Sequence, residues 1–189
     1  GISSAQCIVT NNLIKNNSSG DSNNSAGGIY IHHGTVTGNI IVNNTAINGG
    51  GVYIRSGNVN LSNNIIVNNT AQKGGGVYIN EEPNLTMHYN IIADNIASSS
   101  GGVGLYDEDS GDDDNFSIKY NSFVKDTANE KGAAIIYRRS NTNAPLQYNL
   151  FYKNVIQSSS TTGPISNTVY ISNNTSPIIN YNNIIDNSA

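Results

Sequence analysis

Six carboxylates fall within eight residues at Asp107, Glu108, Asp109, Asp112, Asp113 and Asp114, gathered around Gly111. Calcium takes about six to eight oxygen ligands, and a loop that alternates Asp about a glycine can supply several of them. Asp107, Asp109, Asp112, Asp113 and Asp114 are therefore candidate calcium ligands. Their order departs from the EF-hand loop and has no closing Glu, so the competing reading is a solvated turn that repels itself. Arg138 and Arg139 are the best placed candidate bases. The other acids, Glu81, Glu82, Asp94, Asp126, Glu130 and Asp186, are scattered, and no complete acid–base pair for hydrolysis or elimination can be assembled from them.

The remaining chemistry-bearing residues are histidines and tyrosines. His32 and His33 follow a predicted strand, where neighbouring residues face opposite sides and do not naturally chelate one ion, and His88 lies two coils away at another corner. Tyr30, Tyr53, Tyr78 and Tyr170 recur at one position of a repeat, outward between two inward apolar residues. Tyr30, Tyr53 and Tyr78 are thus candidates for a glycan-stacking platform. The alternative is an aromatic ladder that only supports neighbouring strands, at about 0.2–1 kcal/mol per pair.

These residues sit on a repeat that runs through the chain. IIVNNTAINGGGVYI at 40–54 recurs as IIVNNTAQKGGGVYI at 65–79. The wider motif Asn-x-(Ile/Phe)-x-x-(Asn/Asp) occurs seven times. It opens at Asn12, Asn39, Asn64, Asn90, Asn121, Asn149 and Asn182 and closes at Asn17, Asn44, Asn69, Asn95, Asp126, Asn154 and Asn187. Between them stand Ile14, Ile41, Ile66, Ile92, Phe123, Phe151 and Ile184. Three residues before each opening Asn is another apolar residue, from Val9 and Val36 to Leu146 and Ile179. Downstream come glycines at 27–28, 49–51, 74–76 and 101–102. Then come apolar pairs at spacing two: Ile29/Ile31, Val52/Ile54, Val77/Ile79, Val103/Leu105, Ala134/Ile136 and Val169/Ile171.

A period in the twenties with period-two apolar stretches marks one coil of a β-solenoid. The predicted fold is all-β: a right-handed, single-stranded parallel β-helix of about seven coils with three short strands each. Stacked at strand spacing, they make a rod of roughly 30–35 Å. Asn at the corners is expected to tolerate left-handed backbone and to bond the equivalent Asn of the next coil, forming two ladders. The opening residues are 27, 25, 26, 31, 28 and 33 apart, so polar inserts near 18–28, 107–115 and 156–167 leave a single domain that spans 1–189.

Composition narrows the function. The 189 residues include 34 Asn and 19 Gly, only 12% are charged, and the net charge is −4. No basic patch marks a nucleic-acid or anionic-membrane partner. No apolar run approaches the ~20 residues of a membrane-spanning helix. The single Cys7 rules out an internal disulfide and a cysteine-based zinc cluster. GISSAQC carries no basic and apolar leader, and reads as a mature terminus or an excised fragment. Sequons at Asn17, Asn43, Asn60, Asn68, Asn84 and Asn115 permit glycosylation in a suitable host.

The two near-identical segments resemble the FxxN and GGA(I/L/V) repeats of polymorphic outer-membrane proteins. Ile66 and Asn69 stand at the F and N positions, Phe123 and Asp126 come closest at the F position, and Gly75–Val77 stands where GGAI is expected. The resemblance covers all seven copies, with Ile mostly replacing Phe. It implies an extracellular or cell-surface location among adhesins, passengers and polysaccharide-active proteins. Fold alone does not choose among these roles.

Two features favour contact over catalysis. If the Ile41 column points inward, Ile40, Val42, Ile65, Val67 and Ile91 point outward as an apolar strip, the expected surface for lateral self-association. The chain also opens and closes within the repeat, which is compatible with head-to-tail stacking into a filament or surface layer. The expected function is a non-catalytic structural or adhesive solenoid, without a cofactor unless calcium binds the acidic insert. A polysaccharide-binding module or calcium-assisted lyase is the alternative.

Overall fold

The computed structural model describes residues 1–20, 26–81, 83–98, 105–107, 115–129, 132–137, 145–157, 168–171 and 179–186. They form stacked parallel sheets, a parallel β-solenoid. One seven-stranded sheet takes a three-residue strand from each copy of the motif: Leu13–Lys15, Ile40–Val42, Ile65–Val67, Ile91–Ala93, Ser122–Val124, Leu150–Tyr152 and Asn183–Ile185. A twelve-stranded sheet takes the segments that precede the opening Asn, and a four-stranded sheet the short pieces that follow the closing one, such as Thr70–Ala71.

The long sheet changes along the rod. Ile2–Thr10 and Ile29–Thr37 are unbroken nine-residue strands. The next turn splits the same path into Val52–Ile54 and Gly57–Ser62, and both halves pair with Ile29–Thr37. A turn such as 52–71 therefore holds four short strands rather than three, because the long sheet receives two.

The core explains why the chain folds this way. Ile41, Ile66, Ile92, Phe123 and Phe151 are fully buried in one stacked column. Val36, Leu61, Met87 and Ile118 fill the adjoining one. Phe123 and Phe151 stack with centroids 5.2 Å apart. Burying such a side chain contributes roughly 1.5–3 kcal/mol. Identical register from turn to turn lets each contact repeat without distortion. Ile184, in the last strand of its column, is 54% exposed.

Register corrects two expectations. The pair Ala134/Ile136 is out of step, since Ile135 continues the Val52 and Val77 column while Ile136 lies opposite Tyr106 and Tyr170. Likewise Leu105, not Val103, stands opposite Val77, and Asp107 stands opposite Ile79. An apolar run such as AAII fits either phase, and a one-residue slip exchanges the two faces.

The ladders also divide their labour differently from the expectation. The closing-column Asn residues lie inside the rod and carry hydrogen bonds, whereas left-handed backbone belongs to the residue before each one. Asn16, Asn43, Asn68, Asp94, Lys125, Lys153 and Asp186 have φ of 51–57°. A second left-handed column precedes the opening residue, at Asn11, Gly38, Asn63, Tyr89, Tyr120, Tyr148 and Tyr181. Each corner thus pairs an exposed left-handed residue with an inward hydrogen-bonding Asn.

Candidate functional site

In the opening ladder, Asn39, Asn64, Asn90, Asn121 and Asn149 are 1–2% exposed. The Asn64 amide donates to Val36 O at 2.8 Å and Asn90 Oδ1 at 3.0 Å, and its Oδ1 accepts from the Asn39 backbone N–H and amide. Asn12 and Asn182 extend this ladder in the first and last described turns. The closing ladder repeats the arrangement from Asn17 through Asn44, Asn69 and Asn95 to Asp126 and Asn154. Asn187 lies outside the described residues.

Asp126 is the exception among the inward amides. It is fully buried; its Oδ1 accepts from the Asn95 backbone and side chain at 3.0 Å, and its Oδ2 has no partner among the described residues. Loss of water around the carboxyl pushes its pKa well above the ordinary range. The two bonds from Asn95 oppose that shift and the nearby Asp94 charge adds to it.

Tyr30, Tyr53 and Tyr78 form a continuous column, as the sequence predicts, with ring centroids 5.1 and 4.8 Å apart. They do not form an open platform. Tyr53 and Tyr78 are 2% and 3% exposed and cluster with Ile136, with Tyr30 and Ala26 packed against them. The rings cover one another and pack on Ile136, and the preceding glycine corner closes over their Cβ atoms. Gly49 and Gly74 have φ of +64° and +61°, and a Cβ at either would lie within 3.0 Å of the Cβ of Tyr53 or Tyr78. Only glycine allows the chain to lie this close over its own next strand. Tyr30 is half-buried, and its hydroxyl bonds His32 Nε2 at 3.0 Å.

The histidines are held separately. His32 Nδ1 meets Ser56 Oγ at 3.2 Å, and His88 Nε2 meets Ser117 Oγ at 2.8 Å. Both pKa values are lowered, chiefly by burial and secondarily by the cations Arg55 and Lys119 respectively. Among the described residues no group of three or more His, Cys, Asp or Glu is placed to hold a metal ion. Of the proposed calcium ligands, Asp107 ends the strand Leu105–Asp107, and Asp109, Asp112, Asp113 and Asp114 lie outside the described residues, as do Arg138 and Arg139. Cys7 is free and half-buried against the core.

The apolar strip lies outside, as expected from the inward Ile column. Leu13, Ile40, Ile65 and Ile91 pair in register on the outer face of the seven-stranded sheet and are 58%, 44%, 40% and 48% exposed. Val42 and Val67 form a half-buried column beside them. Beyond Ile91 the exposed column is interrupted by Ser122, and the next turn carries the half-buried Leu150 and Tyr152, where the Lys153 ammonium lies 5.0 Å from the Tyr152 ring centre.

A second aromatic ladder escaped the sequence reading. Tyr89, Tyr120, Tyr148 and Tyr181 stack at 5.1 Å with ring planes within 6–9°, and they are 44–70% exposed. All four have left-handed backbone, where bulky side chains are rare and cost on the order of 1–2 kcal/mol each. The first three turns put Asn or Gly there instead. The recurrence of Tyr one residue before the opening Asn is visible in the sequence, but a left-handed corner is not where exposed tyrosine is expected. The rings cover each other's faces, so the ladder presents edges and hydroxyls.

Three outer surfaces are candidates for function: the apolar strip, the tyrosine edge, and a polar groove on the long sheet lined by residues that include His33, Asn58, Asn84 and Asn115. Comparison with protein-family models, curated proteins and solved structures gave no match to this chain.

Proposed function

We propose that the chain is a non-catalytic structural rod of an extracellular or cell-surface protein that associates laterally with further copies of itself. One observation carries this reading: the exposed Leu13, Ile40, Ile65 and Ile91 column, backed by Val42 and Val67, forms an apolar band along four consecutive turns. Apolar bands of this extent on a water-exposed sheet mark contact surfaces. The likeness of the repeats to those of polymorphic outer-membrane proteins supports the surface location.

Sedimentation velocity tests the proposal. Wild-type protein is expected to associate as concentration rises, and Ile40→Lys with Ile65→Lys to stay monomeric. Each substitution removes an apolar contact of about 1.5 kcal/mol or more, roughly tenfold in affinity. Both positions face solvent in the single rod, so thermal unfolding of the double variant should match wild type. A wild-type protein that stays monomeric throughout, or a double variant that associates equally well, refutes the reading.

A further inference from the structure

The polar groove on the outer face of the long sheet has a different composition from the strip. It encloses about 750 Å³ and crosses several successive turns. Among the described residues its lining contains no Asp, Glu, Lys or Arg. Two outward columns line it. In the first, His33, Asn58, Asn84 and Asn115 are exposed. In the second, Asn60, Thr86 and Ser117 stand two residues farther along the same strands.

The first column is preorganised. The Asn115 amide donates to Asn84 Oδ1 at 3.2 Å and the Asn84 amide donates to Asn58 Oδ1 at 2.9 Å. The Asn58 backbone N–H donates to His33 Nδ1 at 3.2 Å. That bond places the imidazole hydrogen on Nε2, as a donor for a ligand. Gly57 makes room for the ring, since a Cβ there would lie 2.3 Å from it. Among the described residues the Asn84 amide, which both donates and accepts here, keeps one N–H and one oxygen lone pair free, Asn58 keeps both amide hydrogens, and Asn115 keeps both oxygen lone pairs. Asn60 and Thr86 make no side-chain hydrogen bond among the described residues. The groove therefore offers neutral donors and acceptors in pairs, repeated at the strand spacing of ~4.8 Å along the rod.

We infer that this groove binds a neutral polysaccharide laid along the rod axis, with the Asn58, Asn84 and Asn115 amides and the Thr86 hydroxyl bonding successive sugar hydroxyls. Amides match hydroxyl groups because both donate and accept. The absence of charge among the described lining residues favours a neutral chain over uronate or sulfated ones. A protein partner would need buried apolar anchors, and the exposed side chains here supply none. Successive near-equivalent rungs suit a polymer that repeats, and each rung adds a modest increment rather than one deep pocket. The inference is independent of the apolar strip, which lies on another sheet.

The test uses unglycosylated bacterially expressed protein, titrated with neutral hexasaccharides of β-1,4-glucan, β-1,3-glucan, α-1,4-glucan and chitin, and with hexagalacturonate as the charged comparison. Side-chain amide resonances of Asn58, Asn84 and Asn115 should shift with at least one neutral hexasaccharide, with little dependence on salt. Asn58→Ala with Asn84→Ala should weaken binding about tenfold, as loss of several exposed hydrogen bonds requires. Thr86→Val is the milder second variant, expected to weaken binding two- to threefold with an unchanged melting temperature. Three results overturn the inference: no shift with any neutral hexasaccharide at millimolar concentration, binding unaltered in both variants, or preferential salt-sensitive binding of hexagalacturonate. Protein carrying Ile40→Lys with Ile65→Lys should bind the sugar normally, so failure of lateral association and failure of glycan binding are read separately.

Discussion

Asp126→Asn is expected to raise stability at neutral pH and to flatten its dependence on pH. In the closing ladder the Asn44, Asn69 and Asn95 amide nitrogens each donate to two oxygens: the Oδ1 of the next rung and the carbonyl of the inward residue one turn back. Asn69 does so toward Asn95 Oδ1 and Ile41 O, and Asn95 toward Asp126 Oδ1 and Ile66 O. Repeated at Asp126, that geometry points Oδ2 at Asn154 Oδ1 and the Ile92 carbonyl. An ionised carboxylate would meet two oxygens with no donor between them. A protonated one donates to either and restores the ladder. The fold therefore selects the neutral acid, and burial, the leading cause of the raised pKa, acts in the same direction.

The direction of the pH effect follows. Above the ordinary Asp value of about 4, the unfolded chain loses this proton while the folded chain keeps it. The folded state then binds more protons, and stability falls with rising pH by up to about 1.4 kcal/mol per unit until the raised folded value is passed. Below pH 4 both states are protonated and the penalty is absent. Asn at this position never ionises and donates both hydrogens. Urea unfolding of wild type and Asp126→Asn from pH 3 to 9 should give curves that approach each other in acid and diverge through neutrality, with the variant above. The charges nearest this corner, Asp94, Lys125 and Lys153, are exposed and common to both proteins, so the difference between the curves isolates Asp126. Parallel curves would show that the buried carboxyl does not hold its proton.

The parts of the architecture that sequence conveyed and those it did not differ for physical reasons. The Asn and Ile columns were legible because a solenoid places equivalent residues in equivalent environments, and seven copies average out local variation. Phase was legible only where polar and apolar residues alternate. At VYI in 52–54 the inward pair is unambiguous, whereas at AAIIY in 133–137 two phases are equally apolar and register chose Ile135. Whether an outward side chain stays open depended on something no column displays. Tyr53 and Tyr78 are buried against each other and Ile136, with Gly49 and Gly74 closing over their Cβ atoms, while Ile40 and Ile65, equally outward, remain exposed. The groove was harder still. Asn58, Asn84 and Asn115 belong to turns of unequal length, and they line up only once strand pairing brings 58 beside 84.

Adjacent asparagines should respond oppositely to substitution, which separates the two tasks that an Asn-rich corner performs. Asn69→Leu, close in size, is expected to cost about 3–5 kcal/mol. The Asn69 side chain accepts from the Asn44 backbone N–H and amide, both at 3.0 Å, and donates to Ile41 O and Asn95 Oδ1. Leucine would strand those partners in a site with no exposure, at about 1–3 kcal/mol for each buried group left unpaired. Asn68 precedes it, exposed, with φ of 54°. Its task is conformational, so Asn68→Gly should alter stability by only a few tenths of a kcal/mol, since glycine enters the left-handed region freely. Asn68→Val should cost about 1–2 kcal/mol, because a β-branched side chain is driven against its own carbonyl there. Chemical denaturation of the three variants gives the order directly. Were Asn69→Leu as mild as Asn68→Gly, the interior ladder would be contributing little, and the apolar columns alone would be holding the turns in register.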